Sequence, residues 1–251
     1  MSTKKIILIT GANQGIGFDS AWALASASPD NHVVVGSRSQ ERGVKAVEDL
    51  QARKPAGIVS LLQLDITSDD SIKAAAEKLT ADFGVLDVLV NNAGIVITQP
   101  KDRRSELVDT FNTNAASPLL LTEALVPLLQ KSKDPRIINV TSGLGSLHER
   151  TTPGGPYYDV RADAYRISKA ALNMATAHML YDFKSWGAKV WAFCPGWVVT
   201  NLTGEADRQN RIDGGAESSE TSAQGILEIV EGKRDGEVGK FVKRQGEQYK
   251  W

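Results

Sequence analysis

A tyrosine and a lysine spaced four residues apart are the strongest candidates for chemistry in this chain. They lie in Tyr165-Arg166-Ile167-Ser168-Lys169, whose helical pattern puts both side chains on one face. An unperturbed phenol has a pKa of about 10 and exchanges protons poorly at neutral pH, whereas a neighbouring ammonium stabilises the phenolate and lowers that pKa. Tyr165 is therefore a candidate general acid or base. Alone the pair is weak, because most such pairs are solvated helix faces.

A glycine-rich turn near the start of the chain indicates phosphate binding. It reads Thr10-Gly11-Ala12-Asn13-Gln14-Gly15-Ile16-Gly17 and leads into a helical segment. Glycines let the backbone approach a pyrophosphate held at a helix N-terminus. The spacing is G-x-x-x-G-x-G rather than the commoner G-x-G-x-x-G, and a turn without a ligand is the alternative. Its position after a first strand favours a dinucleotide.

The end of the second apolar segment bears on which dinucleotide is bound. A carboxylate there would accept hydrogen bonds from the ribose hydroxyls of NAD, whereas a basic residue suits a 2′-phosphate. The chain reads Val35-Gly36-Ser37-Arg38-Ser39, and the first acid, Glu41, comes only after the turn. Arg38 offers a fork of donors for a phosphate, although an ordinary solvated arginine is the alternative. The pattern favours NADP(H) over NAD.

The elements that must position these groups follow from the apolar pattern. Short apolar segments recur at 5–10, 32–36, 58–64, 86–90, 136–141 and 189–194. Helical patterns separate them at about 16–28, 40–53, 69–83, 104–130 and 162–185. Strands that are apolar throughout are typical of a sheet covered on both faces. We therefore predict an α/β fold, a doubly wound parallel sheet (Rossmann fold) with helices on both faces and one further strand at 239–242. No repeat or linker divides residues 1–251, which predicts a single dinucleotide-binding and catalytic domain.

Composition and charge narrow the classes of function. The 251 residues include 29 Lys+Arg and 30 Asp+Glu, a formal charge of −1, with 41% hydrophobic residues. The near-zero charge argues against nucleic-acid or anionic-membrane partners. The lone Cys194 favours a reducing, cytoplasmic location, and the histidine spacing predicts no metal site. No apolar run approaches the roughly 20 residues of a membrane span, and residues 1–9 are interpreted as leading into a strand rather than as a signal peptide.

Five motifs together resemble the short-chain dehydrogenase/reductase family. They are Thr10–Gly17, Asn91-Asn92-Ala93-Gly94, Ser142 after Ile137-Ile138-Asn139-Val140, Tyr165 with Lys169, and Pro195-Gly196. Within the family, Arg38 and the segment from Cys194 to Thr200 look like NADPH-dependent carbonyl reductases. The resemblance implies reduction of an aldehyde or ketone to an alcohol by hydride transfer, with a small-molecule carbonyl or alcohol as substrate and tyrosine as the proton donor.

The resemblance implies a set of cofactor-binding residues. Those for the phosphates and adjoining ribose are Gly11, Asn13, Gly15, Ile16 and Gly17, with Asn13 a further candidate for the 2′-phosphate site of Ser37 and Arg38. Those for the adenosine are Asp65, Ile66, Asn92, Ala93 and Gly94, with Asp65 accepting a hydrogen bond from the adenine amino group. Those for the nicotinamide are Pro195, Gly196, Val198 and Thr200, together with Tyr165 and Lys169. A turn or helix cap is the alternative for Asp65, since Thr67-Ser68-Asp69-Asp70 follows it.

The same resemblance implies four catalytic residues. Ser142 would orient the substrate oxygen, Tyr165 would protonate it, and Lys169 would hold the nicotinamide ribose and tune Tyr165. Asn114 matches the asparagine that distorts a helix and holds a water in the proton relay. The nearby alternatives are Thr141 and Ser146 for the serine, and Asn112 for the asparagine.

One departure from the family pattern concerns the segment between Ser142 and Tyr165. The two residues lie 23 apart, which is longer than the usual spacing. The insert 147–161 is expected above the nicotinamide, and pocket loops are expected at about 144–161 and 197–218, with Tyr157, Tyr158 and Trp197 as aromatic walls. Many relatives form homo-oligomers through the helices equivalent to 104–130 and 162–185, and an insert here can block that association.

Two other functions remain as alternatives. An NADP-binding sensor or non-catalytic subunit on the same fold would explain the cofactor motifs. A methyltransferase would explain the glycine-rich turn but not the pair Tyr165 and Lys169. Because candidates exist for all four catalytic positions, the sequence favours a reductase.

Overall fold

A computed structural model of the chain describes residues 4–251, and its centre is one parallel β-sheet. Seven strands form this sheet within the described residues, in the order β3-β2-β1-β4-β5-β6-β7. The predicted α/β fold with a doubly wound parallel sheet is therefore confirmed, whereas residues 1–3 lie outside the described part. The strands are β1 (Lys5–Thr10), β2 (Asn31–Ser37), β3 (Ile58–Gln63), β4 (Val88–Asn91), β5 (Arg136–Val140), β6 (Lys189–Cys194) and β7 (Phe241–Lys243).

Helices cover both faces of the sheet because its central strands are apolar on both sides. Leu24, Leu50 and Ile226 contribute to the buried cluster on one face, whereas Leu79 and Leu125 contribute to the cluster on the other. The helices are α1 (Gly15–Ala27), α2 (Gln40–Ala52), α3 (Asp69–Asp82), α4 (Arg103–Phe111), α5 (Ser117–Leu129), α6 (Leu147–Thr151), α7 (Asp163–Asp182), α8 (Arg208–Asp213) and α9 (Ser219–Val230). Among residues 4–251, no helix is both long and apolar enough to cross a membrane.

The strand order places a crevice at the carboxyl edge of the sheet. The chain moves outward from β1 through β2 to β3 and then returns to β4 on the other side of β1. Two crossovers that diverge in this way leave a gap above the carboxyl ends of the strands, where ligands bind in open α/β sheets. The residues after β1, β4, β5 and β6 therefore all face one cleft.

The segment 104–130, expected as one helical pattern, is divided by a π-helical turn. α4 ends at Phe111, the turn occupies Asn112–Ala116, and α5 begins at Ser117. Asn114 is fully buried in this turn, and its side-chain amide hydrogen-bonds the backbone N–H and carbonyl of Ile95. An apolar pattern of period 3.6 does not report a local widening of this kind, which depends on a tertiary contact.

Two segments expected as loops contain short helices. Residues 144–161 include α6, and residues 197–218 include α8, while α9 begins at Ser219 inside a polar stretch. The hydroxyl of Ser146 accepts a hydrogen bond from the backbone N–H of Glu149 at 3.1 Å and thereby caps α6. Helices this short depend on caps and tertiary contacts rather than on an apolar stripe, so the hydrophobic pattern did not reveal them.

Candidate active site

A cleft of about 420 Å³ runs along the carboxyl edge of the sheet. It extends from Arg38 and Arg42, which follow β2, past the glycine-rich turn to Tyr165 and Lys169 on α7. Most of the predicted site residues line it, although they come from segments far apart in the chain. The predicted residues that do not line it are Gly17, Ser37 and Asn114.

The glycine-rich turn is locked against the end of β4. Gly11 has a φ of +63°, and a Cβ there would lie 2.9 Å from the Cα of Ala93, so only glycine fits without strain. The Thr10 hydroxyl accepts hydrogen bonds from the backbone N–H groups of Asn92 and Ala93 at 3.0 and 2.9 Å. The side-chain amide of Asn92 in turn donates to the Thr10 carbonyl at 2.8 Å.

The N-terminus of α1 opens into the cleft beside this turn. Gln14 precedes the helix and makes no side-chain cap, which leaves the first backbone N–H groups free to bind an anion. Gly17 lies one turn into the helix, where a Cβ would be 2.5 Å from the Asn92 amide nitrogen. Its structural role is thus close helix–strand packing, which explains why it does not line the cleft.

Two arginines stand at the far end of the cleft. Arg38 and Arg42 both line it, and neither forms an ion pair with any residue of the described chain 4–251. Sequence analysis missed Arg42, which lies four residues after Arg38. This i, i+4 spacing, which is one helical turn, was the signal that could have revealed it. Ser37 is buried and its hydroxyl donates to the Ser39 carbonyl at 2.9 Å, so Ser39 rather than Ser37 faces the cleft.

The position of Asp65 is compatible with both roles that the sequence left open, which are binding of the adenine amino group and capping of a turn. It lines the cleft, and its Oδ1 accepts hydrogen bonds from the Thr67 backbone N–H at 3.0 Å and hydroxyl at 2.7 Å. One carboxylate oxygen therefore closes a turn, while Oδ2 makes no hydrogen bond within residues 4–251.

The loop after β5 brings Ser142 to Tyr165. Gly145 lies so close to α7 that a Cβ there would be 2.7 Å from the Lys169 carbonyl carbon. This close approach brings the Ser142 hydroxyl close enough to the Tyr165 phenol to lower its pKa, and both residues line the cleft. The alternatives are otherwise engaged: the Thr141 hydroxyl bonds Asn173 at 2.7 Å, and that of Ser146 donates to the Lys250 carbonyl at 2.6 Å.

The electrostatics of the tyrosine differ from the sequence expectation. Burial raises the pKa of Tyr165 well above its ordinary value, and the nearby Cys194 thiol group raises it further. The Ser142 hydroxyl and the charge of Arg211 lower the pKa of Tyr165 but do not overcome the effect of burial. The expected lowering by Lys169 is therefore not seen, and the phenol is held protonated, in the form that donates a proton.

Lys169 is buried without a carboxylate partner among residues 4–251. Only 3% of the residue is exposed, and its Nζ lies 5.7 Å from the centroid of the Tyr165 ring and donates to the Val140 carbonyl at 2.9 Å. Burial lowers the pKa of Lys169 to about 8, because removing an ammonium from water disfavours its charged form.

Asn114 stands behind Lys169 rather than in the cleft. Its side-chain amide also donates to the Ser168 hydroxyl at 3.0 Å, and Gly94 lies between it and Lys169. A Cβ on Gly94 would be 3.2 Å from the Asn114 Oδ1 and 3.6 Å from the Lys169 Nζ. Asn114 rather than Asn112 therefore contacts the loop after β4, while its water-holding role stays a prediction.

The substrate end of the cleft is built only in part by the expected residues, since the loop 197–218 contributes to it but the insert 147–161 does not. Trp197 lines it, but Tyr157 and Tyr158 do not, and no residue of the insert 147–161 does. The Tyr157 hydroxyl instead hydrogen-bonds that of Tyr249 at 3.0 Å, because the insert packs against the last residues of the described chain. Side chains outside any predicted motif complete the walls: Ile95, Val96, Leu144, Leu202 and Arg211.

Comparisons with known proteins agree with this geometry. The model of the short chain dehydrogenase family matches residues 5–211. Short-chain dehydrogenase/reductase tropE of Talaromyces stipitatus is 35% identical over 264 residues, covering 98% of each chain. The (+)-neomenthol dehydrogenase of Arabidopsis thaliana is 34% identical, covering 80% of this chain and 75% of its own.

Solved structures resemble the whole chain. The NADPH-bound carbonyl reductase from chicken fatty liver has a TM-score of 0.83 and 27% identity, and each chain is covered completely. Carbonyl reductase Sniffer of D. melanogaster has a TM-score of 0.81 and 30% identity, covering 99% of this chain and 100% of its own. The motifs, the sheet order and these relatives agree that the chain belongs to the short-chain dehydrogenase family of oxidoreductases, which use nicotinamide cofactors.

Proposed function

We propose that the protein is an NADPH-dependent reductase that converts an aldehyde or ketone to an alcohol. The observation that carries the proposal is that the hydroxyl groups of Ser142 and Tyr165 line the same end of the cleft beside Lys169, with desolvation holding the Tyr165 phenol protonated. Two hydroxyl groups that converge in this way can both hydrogen-bond a carbonyl oxygen, and the more acidic one can protonate it.

The residues of the cleft fit a nicotinamide dinucleotide. The uncapped start of α1 suits its pyrophosphate, and the contact between Gly11 and Ala93 keeps side chains away from that position. Gly15, Ile16 and Thr200 line the same part of the cleft. When bound, the reduced nicotinamide supplies a hydride to the carbonyl carbon.

The chain's own residues would handle the proton. Ser142 orients the carbonyl oxygen, and the Tyr165 hydroxyl transfers its proton to that oxygen as the alcohol forms. The Lys169 ammonium, held by the Val140 carbonyl with its Nζ 5.7 Å from the centroid of the Tyr165 ring, would be a positive charge beside the phenolate that remains. Asn114 fixes the loop after β4 by accepting a hydrogen bond from the Ile95 backbone N–H, and Gly94 of this loop packs between Asn114 and Lys169.

The preference for NADPH over NADH rests on Arg38 and Arg42. Both line the adenosine end, and no carboxylate of residues 4–251 neutralises either. A 2′-phosphate carries the negative charge that such a pair attracts, whereas a bare ribose does not. The NADPH-bound carbonyl reductase from chicken liver supports the same choice.

The test is NADPH oxidation measured against a panel of aldehydes and ketones, with NADH as the control cofactor. Turnover that disappears in Tyr165→Phe, while NADPH still binds, is the expected result. Binding of NADPH without turnover of any carbonyl would overturn the proposal and favour a sensor or non-catalytic subunit.

We also propose that α4 and α7 mediate self-association. Val108 and Phe111 on α4 and Ile167 and Met174 on α7 are exposed, and the two helices pack side by side. Light scattering after size exclusion tests this, since Met174→Glu would convert an oligomer into monomers. A monomeric wild type would refute the proposal.

A further inference from the structure

One cationic side chain lies at the substrate end of the cleft, away from the cofactor motifs. Among residues 4–251, four positive side chains line the cleft: Arg38, Arg42, Lys169 and Arg211. The first two lie beyond the end of β2, and the third donates to Val140. Arg211 comes from α8, in the segment after Trp197, and is close enough to Tyr165 for its charge to act on the phenol.

The Nε and Nη1 atoms of the Arg211 guanidinium have hydrogen-bond partners in the described chain, whereas the Nη2 atom has none. Its Nε donates to the Thr203 hydroxyl at 3.2 Å and to Asp207 at 3.3 Å, and its Nη1 donates to the Val198 carbonyl at 3.0 Å. Its Nη2 makes no hydrogen bond within residues 4–251. Only 13% of this side chain is exposed, so the group is positioned before any substrate arrives.

The partner carboxylate does not cancel the charge of Arg211. The Asp207 side chain is 40% exposed, so water screens its interaction with the guanidinium. The remaining walls at this end are apolar and include Val96, Leu144, Trp197 and Leu202. An apolar pocket with one fixed cation suits a molecule that has a hydrocarbon body and one anionic group.

We propose that Arg211 is a substrate-binding residue that selects carbonyl compounds carrying a carboxylate. The carbonyl would lie at Tyr165 and Ser142, the hydrocarbon body against Trp197 and Leu202, and the carboxylate at the free edge of Arg211. A planar guanidinium matches a carboxylate. A phosphate dianion suits the site less well, because only one arginine is present and Asp207 would repel the second charge. This inference rests on the proposed carbonyl reduction and names its substrate class.

The experiment uses two matched pairs of probes: 3- and 4-carboxybenzaldehyde and their methyl esters, which remove the negative charge and add one methyl group. Wild type and Arg211→Gln are compared for KM in the presence of NADPH, and for binding to the NADP⁺-loaded enzyme by calorimetry. We expect Arg211→Gln to weaken binding of the better acid by about 10- to 100-fold, the effect of losing a charged hydrogen bond. The esters and NADPH should change by less than about twofold.

Three variants make the result specific. Arg208→Gln removes the same charge from the exposed side of α8, outside the cleft, and should leave all constants unchanged. Arg211→Lys keeps the charge without the fork and should fall between wild type and Arg211→Gln. Asp207→Asn removes the competing carboxylate and should tighten binding of the acid by a few-fold.

The outcomes separate this inference from the proposed function. Wild type that binds and reduces the esters better than the acids would overturn the role of Arg211 while leaving carbonyl reduction intact. Equal weakening of acid, ester and NADPH in Arg211→Gln would assign the residue a structural or cofactor role instead. Binding of the acid that depends on Arg211 but leads to no reduction would refute only the proposed activity.

Discussion

A buried cationic side chain lies at each end of strand β5, and the two differ in whether carboxylates neutralise their charge. Arg136 begins the strand and is 3% exposed, and Lys169 lies against its last residue, Val140, and is also 3% exposed. Arg136 contacts Asp134 at 2.7 Å, Asp235 at 2.5 Å and the Ile229 carbonyl at 2.7 Å. Lys169 donates a hydrogen bond only to the Val140 carbonyl and has no carboxylate partner within residues 4–251. Burial disfavours the charged form of both side chains.

The difference appears in the protonation equilibria. At the amino edge, the hydrogen bonds that Arg136 donates to Asp235 and Asp134 outweigh burial and raise the pKa of Arg136, so its charge is secure. At the carboxyl edge nothing outweighs burial, and the pKa of Lys169 falls to about 8. A compensated charge holds the fold together, whereas an uncompensated one is kept where a ligand or a reaction can use it.

The largest expected effect is on the reaction. Tyr165→Phe keeps the aromatic ring and removes only the proton donor, so carbonyl reduction should fall by about 10²- to 10⁴-fold. The midpoint of thermal unfolding and the affinity for NADPH should stay unchanged, as measured by calorimetry. Reduction at more than a tenth of the wild-type rate would mean that another group supplies the proton.

Substituting methionine at the two ends of β5 tests the comparison directly. Arg136→Met removes the buried partner of Asp134 and Asp235 and leaves them only Lys189, at 2.8 and 2.6 Å, and we expect unfolding to become easier by about 3 kcal/mol. That is the low end for a broken buried pair, because 44% and 37% of the two acidic side chains is exposed. Lys169→Met removes an uncompensated charge, so stability should be unchanged or higher while reduction is lost. Urea unfolding at pH 7 measures both, and equal losses of stability would break the comparison.

The unpaired arginines at the carboxyl edge predict cofactor choice. In the double variant Arg38→Gln with Arg42→Gln, kcat/KM for NADPH should fall by about 10- to 100-fold. A charged hydrogen bond contributes roughly 1.5–3 kcal/mol, and water weakens both interactions because the two arginine side chains are exposed. kcat/KM for NADH should hardly change. Arg53→Gln, a basic residue outside the cleft, is the control. Equal losses with both cofactors would show that the arginines do not discriminate.

The lowered pKa of Lys169 predicts an alkaline limit to activity. Because the pKa of Tyr165 is raised, the first group to lose its proton as the pH rises is Lys169, at about pH 8. kcat/KM for reduction should therefore be constant up to about pH 8 and fall up to tenfold per unit above it. Lys169→Arg retains its charge and should lose this limb. A profile flat to pH 10 would contradict the assignment.

The smallest expected effect concerns acid stability at the amino edge. The hydrogen bond from Arg136 lowers the pKa of Asp235 to about 2 from its ordinary 3.8. Stability from this group is thus fully present above pH 3.8 and is lost as the pH falls towards 2. Because Asp235 is partly exposed, we expect Asp235→Asn to destabilise by only about 1 kcal/mol at pH 7. In urea unfolding, the difference should vanish near pH 2, with reduction unaffected at pH 7.

The strands and the local motifs could be predicted because their signals are short-range. β1, β5 and β6 follow their apolar segments closely, whereas the last strand begins at Phe241 rather than at 239. Gly239 has a φ of +80° and belongs to the preceding turn. Tyr165 and Lys169 could be paired from their spacing alone, since a helix places i and i+4 together.

The missing parts of the site depend on long-range packing. The insert 147–161 has no hydrophobic periodicity that indicates its contact with Tyr249, so its position away from the cleft could not be predicted from the sequence. Arg211 likewise belongs to no sequence motif. It lines the same cleft as Tyr165 because α8 packs against the segment of Trp197 and Val198, where Arg211 donates to the Val198 carbonyl. The pKa of Tyr165 was misjudged because the expectation included a nearby charge but not the desolvation of the phenol.

By itself the sequence determined the order of the strands and of the longer helical segments, the glycine turn, the absence of an acid after β2 and the pair Tyr165 and Lys169, all of which are local or periodic. The family resemblance already favoured Ser142, whereas only tertiary structure decided that the hydroxyl groups of the alternatives, Thr141 and Ser146, are held by residues far along the chain. Tertiary structure also decided which buried cation is compensated. A charge is neutralised by whatever lies within a few ångströms of it, and for Arg136 that includes Asp235, 99 residues further along the chain.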